Sequence, residues 1–247
     1  MAKSKQYEKL TELQVELMTE WMARFVAQIA KVLPDDVTAK LKELQQKEES
    51  PLARLLYDTM RENQELALRL NRPSCQDTGV LQFWVRCGSG FPLLGKLEGI
   101  LKEAVVRATV RAPLRHNSVE TFDEYNTGKN VGKGTPTVFW EIVPDSSECA
   151  IDAYMAGGGC TLPGHAMVLM PGEGYEGVVR FVMDVMTSYG LNACPPLLVG
   201  VGVATGSGVG ASVGAACWAR RSSSWVCTVV SCCESVSARV FAVCRRM

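Results

Sequence analysis

A thiol, an amide and a carboxylate occupy consecutive positions in the segment RPSCQDTG, residues 72–79. Cys75, Gln76 and Asp77 lie in a predicted loop that ends in a Thr-Gly turn, immediately before a predicted strand. A thiolate is a soft ligand for a metal, and loops at the edge of a sheet bring such groups into contact with solvent. The segment therefore predicts a metal or cluster site. The alternative is a buried loop cysteine beside a turn-forming aspartate.

Two further segments carry groups that suit a ligand or a substrate. The sequence NACPP holds Cys194 before two prolines that fix the backbone, which suits either a rigid ligand or a simple turn into the next strand. Arg115, in APLRHN, offers a planar guanidinium that matches a carboxylate, and Gly159 lies in a glycine run that allows close approach to the backbone. His116 stands beside Arg115 and is assigned no role.

Helices are predicted before these segments. Residues 5–32 place apolar side chains at spacings of three and four, which predicts an amphipathic helix with one buried stripe. The stripe consists of Leu10, Leu13, Leu17, Trp21, Phe25 and Ile29. A second helix is predicted from Val37 to about Gln46 and a third from Pro51 toward Asn71. The apolar side chains of the third helix, interpreted as core packing, are Leu52, Leu55, Leu56, Met60 and Leu66.

The composition and periodicity of the sequence change from Arg72 onward. Runs rich in β-branched and aromatic residues predict strands, and runs with helical periodicity lie between them. The strands are predicted at 80–88, 137–145 and 150–159, and the helices at 95–110 and 173–190. The mixture indicates an α+β (mixed α/β) fold, in which a helical N-terminal part precedes a mixed β-sheet domain with packed helices.

The domain prediction is one body over 1–204, with a helical part at 5–70 and a mixed sheet part at 72–204, followed by a tail at 205–247. The tail contains no Leu, Ile, Lys, Asp, Asn, Gln, Pro or His, yet it holds five of the ten cysteines. This composition predicts an irregular, aberrant or disordered tail, and we hypothesise a frame-shifted reading of the coding sequence. A corrected transcript that preserves the tail would contradict the hypothesis.

Composition excludes several classes of function. A formal net charge of zero gives no electrostatic basis for binding nucleic acid or an anionic membrane. The sequence lacks a CxxC pair and has two histidines, so a zinc finger or ribbon lacks ligands. The N-terminus has no apolar run typical of a secretory signal, which favours a reducing cytoplasm without disulfides.

Two other patterns in the sequence give only weak support for a dinucleotide site and for a membrane span. GSGVGA (206–211) matches a dinucleotide phosphate loop, but a poor helix follows and Glu234 is the single acidic residue of the tail. The uncharged run 185–219 is long enough for a bilayer, but two prolines and many glycines lower its hydrophobicity. No membrane association is therefore expected.

Six segments, in order and spacing, strongly resemble the α subunits of L(+)-tartrate dehydratases, which are related to the N-terminal domain of class I fumarases. They are RPSCQDTG, RAPLRHNSVE, FDEYNTGKN, YMAGGGCTLPG, LMPGEGYEGVV and NACPPLLVGVGVAT. The resemblance extends from the N-terminal helices to about Thr205. It implies a hydro-lyase with an oxygen-sensitive 4Fe–4S cluster held by three cysteines, whose open iron is a Lewis acid for the departing hydroxyl.

The resemblance also assigns residues by motif position. It implies metal ligation by Cys75 and Cys194, substrate binding by Gln76, Arg115 and Gly159, and a catalytic role for Asp77. The third family cysteine lies in a segment reading roughly Cys-Trp-Ala-His-Arg. Here ACWARR offers Cys217, which is either the equivalent brought forward by a deletion or a coincidence within the tail, and we favour coincidence.

The implied reaction converts L-tartrate, a small dicarboxylate, to oxaloacetate and water. A fumarate/malate hydratase of the class I fumarase type and a truncated inactive subunit are the alternatives. In families of this type the catalytic base and further carboxylate-binding groups come from a second polypeptide. A β-subunit partner is therefore expected, and the α chain alone should be inactive.

Overall fold

The computed structural model describes residues 2–120, 122–161, 163–193, 198–203, 227–232 and 237–243. These residues form two compact units. Unit 1 is the described part of residues 1–155 and 236–247, and unit 2 is the described part of residues 156–235. The mixture of helices and sheets confirms the predicted α+β fold class.

Unit 1 begins with the predicted helices, which are α1 (Ala2–Ile29), α2 (Asp35–Lys47) and α3 (Pro51–Leu70). The start of α3 has the expected chemistry, because Ser50 accepts a hydrogen bond from the Ala53 N–H at 3.5 Å and Pro51 occupies the first turn. Asn71 ends α3 in the left-handed conformation. The predicted helix positions are therefore confirmed to within a few residues.

The buried face of α1 differs from the predicted stripe. Leu10, Leu13, Leu17 and Trp21 are 53%, 56%, 50% and 68% exposed, so the first part of the stripe faces solvent in unit 1. The end of the stripe is confirmed, because Ile29 is buried and the partly buried Phe25 packs against the core. The other buried apolar side chains of α1 are Met22, Ala23, Val26 and Ala27. The reason is that α1 packs against another helix, and alanines allow two helix backbones to approach closely.

The packing interpretation of α3 is also wrong for its first turns. Leu52, Leu55 and Leu56 are exposed, and Ala67 is the buried residue of the helix. Helical periodicity alone identifies an apolar stripe but does not say which neighbour covers it. In the described residues these leucines remain in contact with solvent.

A four-stranded sheet forms the rest of unit 1. Its elements are β1 (Val80–Gly88), α4 (Leu97–Arg111), β2 (Thr137–Val143), β3 (Glu148–Ala156) and β7 (Ser237–Val243), with strand order β2-β1-β3-β7. Strands β1 and β2 are parallel, with Trp84 opposite Phe139, and α4 lies between them in the chain. Strands β3 and β7 are antiparallel, so the sheet is mixed as predicted.

The core of unit 1 lies between the sheet, α1 and α4. Phe83 and Val85 project from one face of β1 and are almost completely buried, as are Leu97, Leu101 and Val105 of α4. The other face of β1 carries Trp84, which stacks on Phe139 with ring centroids 5.0 Å apart. Alternation along β1 thus separates a fully apolar face from a half-buried one.

Unit 2 contains the remaining elements, which are α5 (Gly158–Thr161), β4 (His165–Met167), α6 (Gly174–Tyr189), β5 (Leu198–Val203) and β6 (Cys227–Cys232). Strand β6 is antiparallel to both neighbours in a sheet of order β4-β6-β5. Helix α6 buries Val178, Phe181 and Val185. It ends at Gly190, whose φ of 48° confirms the predicted glycine C-cap.

The described parts of the tail are strands β6 and β7, whereas the sequence predicted an irregular tail. Each segment contains two valines, whose β-branched side chains favour extended backbone. The rest of the tail lies outside the described residues, including the glycine loop 206–211 and most of the uncharged run 185–219. Among the residues that the structure describes, helices lack the combination of length and apolar character that a membrane crossing requires.

Candidate functional site

Three loops of unit 1 meet near the start of β1, and we call them the loop junction. They are residues 75–79, which precede β1, residues 112–118, which follow α4, and residues 126–131, which precede β2. Because β1 and β2 are parallel, the first and third loops lead into the amino ends of adjacent strands. The loop junction contains the four site candidates Cys75, Gln76, Asp77 and Arg115, and also His116.

The loop that carries Cys75 is anchored to α3 and to the residue that follows α1. The Asn63 side chain of α3 donates a hydrogen bond to the Ser74 carbonyl at 2.6 Å, and the Ser74 N–H donates to the Ala30 carbonyl at 2.9 Å. The Cys75 and Gln76 side chains are exposed beyond these anchors. Cys75 is therefore not the buried loop cysteine of the alternative interpretation.

Asp77 links the first two loops. Its Oδ1 accepts a hydrogen bond from the Gly79 N–H at 3.1 Å, which is an Asx turn, and Gly79 has a φ of 73°. The same oxygen accepts from Asn117 Nδ2 at 2.6 Å. The turn-forming aspartate of the alternative interpretation is thus present, and it also has a partner from the second loop. The orientation of the carboxylate is fixed from two directions.

Thr78 holds the backbone of Arg115 in place through two hydrogen bonds. The buried Thr78 hydroxyl accepts from the Arg115 N–H at 3.0 Å and lies 3.3 Å from the Arg115 carbonyl, to which it donates. The Arg115 side chain is exposed. A guanidinium on a fixed backbone keeps its planar donors available for a carboxylate. The structure therefore brings Asp77 and Arg115 into one hydrogen-bonded junction, although they are far apart in the chain.

Asn130 joins the third loop to the second. This residue is 5% exposed and has a φ of 57°. Its Oδ1 accepts from the backbone N–H groups of Asn117 and Ser118 at 3.0 and 3.3 Å. Its Nδ2 donates to Thr109 Oγ1 at 3.1 Å and to the Arg115 carbonyl at 3.0 Å. A buried amide thus ties Arg115 to the end of α4.

Sequence reasoning missed Thr78, Asn117 and Asn130 as parts of this site. The segment FDEYNTGKN contains Asn130 and was identified as a motif, but no residue in it received a role. Asparagine near glycine is typical of left-handed backbone, so the sequence does indicate a special backbone conformation at this loop. The contacts of Asn130 with Thr109 and Arg115 could not be predicted from the sequence, because they join distant parts of the chain.

Of the other residues singled out from the sequence, His116 lies in the second loop of the junction, and the rest lie outside the described part of unit 1. Gly159 lies in α5 of unit 2. Cys194 and Cys217 lie outside the described residues, so the predicted ligand set is untested. His116 is exposed, and its carbonyl accepts from Asn126 Nδ2 at 2.8 Å.

Cys75 differs in burial from two other described cysteines. Cys87 and Cys149 are buried in the core of unit 1, and burial raises the pKa of the Cys149 thiol to about 12, with the Cys87 thiol adding to the effect. Burial also raises the pKa of Cys87. Both thiols are therefore less acidic than an ordinary thiol, whereas Cys75 is exposed.

A cluster needs more ligands than Cys75. Among the residues that the structure describes, no group of three or more His, Cys, Asp and Glu side chains could hold a metal ion. Among the cysteines whose side chains the structure describes, Cys75 offers a soft and accessible donor that fits one position of a cluster. Any complete site requires thiolates from outside the described residues or from another polypeptide.

Comparison with known proteins places the chain in a family. Residues 19–224 match the family model described as fumarate hydratase (fumerase). The chain is 58% identical over 191 residues to the L(+)-tartrate dehydratase subunit alpha of Escherichia coli and equally to that of Shigella boydii. These matches cover 77% of this chain and 63% of each relative.

A more distant relative comes from Methanocaldococcus jannaschii, and its name assigns it provisionally to the same subunit. It is 32% identical over 200 residues, which are 79% of this chain and 67% of the relative. The chain thus spans less than two thirds of the length of the enterobacterial relatives. Since the family model covers most of the sequence and includes the whole loop junction, the chain belongs to the fumarate hydratase (fumerase) family.

Proposed function

We propose that this chain is the α-type subunit of a hydro-lyase that removes water from a hydroxy dicarboxylic acid. The substrate we propose is L-tartrate, and the products are oxaloacetate and water. The observation that carries the proposal is the loop junction, where Arg115 and Asp77 are held together beside Cys75. The names of the relatives, L(+)-tartrate dehydratase subunit alpha, support the choice of substrate.

The first task of the site is to bind carboxylates. Arg115 is exposed, and its backbone is fixed by Thr78 and Asn130. A planar guanidinium binds a carboxylate through two parallel hydrogen bonds, which fixes the position and orientation of the substrate. Gln76 is exposed on the neighbouring loop and is proposed to contact the same substrate. The assignment of Gly159 rests on the family resemblance.

The second task is to expel a hydroxyl. We propose that Cys75 and Cys194 are two ligands of a 4Fe–4S cluster, and the accessible soft donor of Cys75 supports this assignment. When bound, such a cluster supplies an iron that polarises the hydroxyl to be expelled. Asp77, oriented by Gly79 and Asn117, is proposed as the catalytic carboxylate of this chain beside that hydroxyl.

The third task is to remove a proton from the neighbouring carbon. The C–O and C–H bonds break, hydroxide and the proton leave together as water, and the enol product becomes oxaloacetate. We propose that the base and additional carboxylate-binding groups belong to a β subunit. The subunit names of the relatives support a partner.

The test is anaerobic co-expression of the 247-residue chain with a β subunit. We expect a brown complex that contains iron and sulfide and produces oxaloacetate from L-tartrate. Cys75→Ser should lose the iron and the activity. Cys87→Ala is the matched control, because it removes a buried thiol and should retain the iron. A colourless, inactive complex would support a degenerate subunit, and full iron retention in Cys75→Ser would reject its assignment.

A second candidate reaction is the interconversion of fumarate and malate. It is favoured by the description of the matching family model as fumarate hydratase. The two reactions share an elimination of water from a dicarboxylate and differ in the substituents of the substrate. Comparison of kcat/KM for L-tartrate and L-malate in the same complex decides between them.

A further inference from the structure

The amide of Asn130 uses its full hydrogen-bonding capacity. An asparagine side chain has two N–H donors and an oxygen with two lone pairs. In Asn130 the oxygen accepts from two backbone N–H groups of the second loop, and the NH₂ group donates to Thr109 and Arg115. A buried amide that is fully satisfied orders all the groups it contacts.

We propose that Asn130 is a positioning residue for the dicarboxylate site, an inference that rests on the proposed function. It holds residues 115–118 against the end of α4, so that Arg115 presents its guanidinium and Asn117 orients the carboxylate of Asp77. Asn130 acts through these residues rather than by contact with the substrate. Loss of its amide should therefore change substrate binding more than it changes the fold.

The backbone of Asn130 limits which replacements are informative. Its φ of 57° lies in the left-handed region, where glycine, asparagine and aspartate are tolerated. Asn130→Gly keeps this backbone and removes the four side-chain hydrogen bonds. Asn130→Asp keeps an acceptor for the two backbone N–H groups, but it places a carboxylate oxygen against the Arg115 carbonyl. The two variants separate the accepting half of the amide from the donating half.

Asp145→Gly is the matched control for the backbone. Asp145 also has left-handed backbone, with a φ of 54°, and it lies between β2 and β3 rather than in the loop junction. Both glycine variants remove a side chain from a left-handed position of unit 1. A difference between them in substrate binding therefore reports the Asn130 amide.

The experiment uses the whole chain in complex with its β subunit and L-tartrate as the probe. For Asn130→Gly we expect a Kd and a KM for L-tartrate raised about tenfold or more, which corresponds to the loss of oriented hydrogen bonds. Hydrogen exchange should become faster at the amides of Asn117 and Ser118. Asp145→Gly should leave the Kd, the KM and those two exchange rates unchanged.

Asn130→Asp should keep slow exchange at these two amides and show a Kd between those of the parent and Asn130→Gly. If Asn130→Gly fails to fold, this variant decides, and an unchanged Kd overturns the proposal. Faster exchange in Asn130→Gly with unchanged Kd and KM also overturns the proposal. Asn130 would then stabilise the loop without positioning the groups that bind substrate.

Failure of the proposed function has a different signature. In that case the parent complex itself neither binds nor dehydrates the dicarboxylate, and the positioning role is rejected with it. When the parent binds L-tartrate and Asn130→Gly binds it equally well, the positioning role alone is wrong. The two failures are therefore distinguishable in one set of measurements.

Discussion

The core of unit 1 and the loop junction are held by different forces. In the core, Phe83, Leu97 and Val105 are fully buried among other apolar side chains. In the loop junction, Thr78, Asn117 and Asn130 make directional hydrogen bonds to backbone or carboxylate groups. Apolar burial contributes to the stability of the whole unit, whereas these hydrogen bonds fix the position of the Asp77 carboxylate and of the Arg115 backbone. Substitutions in the two regions should therefore affect different measurements.

The largest effect is expected in the core. Phe83→Ala leaves a cavity between the sheet and the helices and should lower the free energy of unfolding by about 3–5 kcal/mol. Urea unfolding measures this loss. Trp21→Ala, at a position that is 68% exposed, is the control and should change stability little. A loss below about 1 kcal/mol in Phe83→Ala would mean that this core does not hold unit 1 together.

A smaller and different effect is expected in the loop junction. Arg115→Lys keeps the charge but loses the planar fork, so the affinity for L-tartrate should fall about tenfold to a hundredfold. The midpoint of thermal unfolding should stay near that of the parent, because the Arg115 side chain is exposed. Calorimetry measures the affinity. Arg69→Lys, in the last turn of α3, is the control. Equal affinities in both variants would contradict carboxylate binding by Arg115.

Ion pairs between α1 and α4 add a pH-dependent contribution at the edge of the core. Arg107 donates to Glu16 at 2.6 and 2.9 Å, and Arg111 donates to Glu20 at 2.8 and 3.0 Å. These hydrogen bonds lower the pKa of both carboxyl groups below the ordinary value of 4.5. The stabilisation is therefore complete above about pH 4.5 and is lost as the pH falls through the lowered values.

Replacement of both carboxylates tests this contribution. Glu16→Gln combined with Glu20→Gln should lower the thermal midpoint at pH 7, and the difference from the parent should shrink below about pH 4.5. Salt should reduce the difference, because the groups are accessible to solvent. Glu12→Gln on the same helix serves as the control. A difference that stays constant from pH 7 to pH 3 would exclude the ion pairs as its cause.

The smallest effect is expected on the exposed stripe of α1. Leu17 is 50% exposed, so Leu17→Gln should change the free energy of unfolding by no more than about 0.5 kcal/mol. The same replacement at the fully buried Leu101 places an amide in the core and should destabilise unit 1 by about 3 kcal/mol or more. Similar values at both positions in urea unfolding would mean that the stripe is covered in solution.

The sequence predicted the elements better than their contacts. Strand β1 and helices α4 and α6 were predicted nearly to the residue, because local alternation and periodicity identify them. The buried face of α1 was predicted wrongly from Leu10 to Trp21, since large apolar side chains dominate the pattern while the smaller Ala23 and Ala27 are buried in a helix that packs against α4. Which face is covered depends on a partner that local sequence does not specify.

In the candidate site, too, local contacts could be predicted from the sequence and long-range contacts could not. The Asx turn of Asp77 was predictable, because it involves a partner two residues away. The bond from Asn117 to Asp77 and the role of Asn130 were not, because they join loops that are far apart in sequence. The ligand assignments of Cys75 and Cys194 stay predictions, with Cys194 outside the described residues.

The direction of β1 and β2 has a practical consequence. Both strands begin at the loop junction side and end at turns 89–93 and 144–147. At about 3.3 Å per residue, a strand of seven to nine residues separates its two ends by roughly 23–30 Å. An affinity tag or fluorophore inserted into either turn would therefore sit well away from the loop junction, and these turns offer attachment points for immobilising the protein with that junction unobstructed.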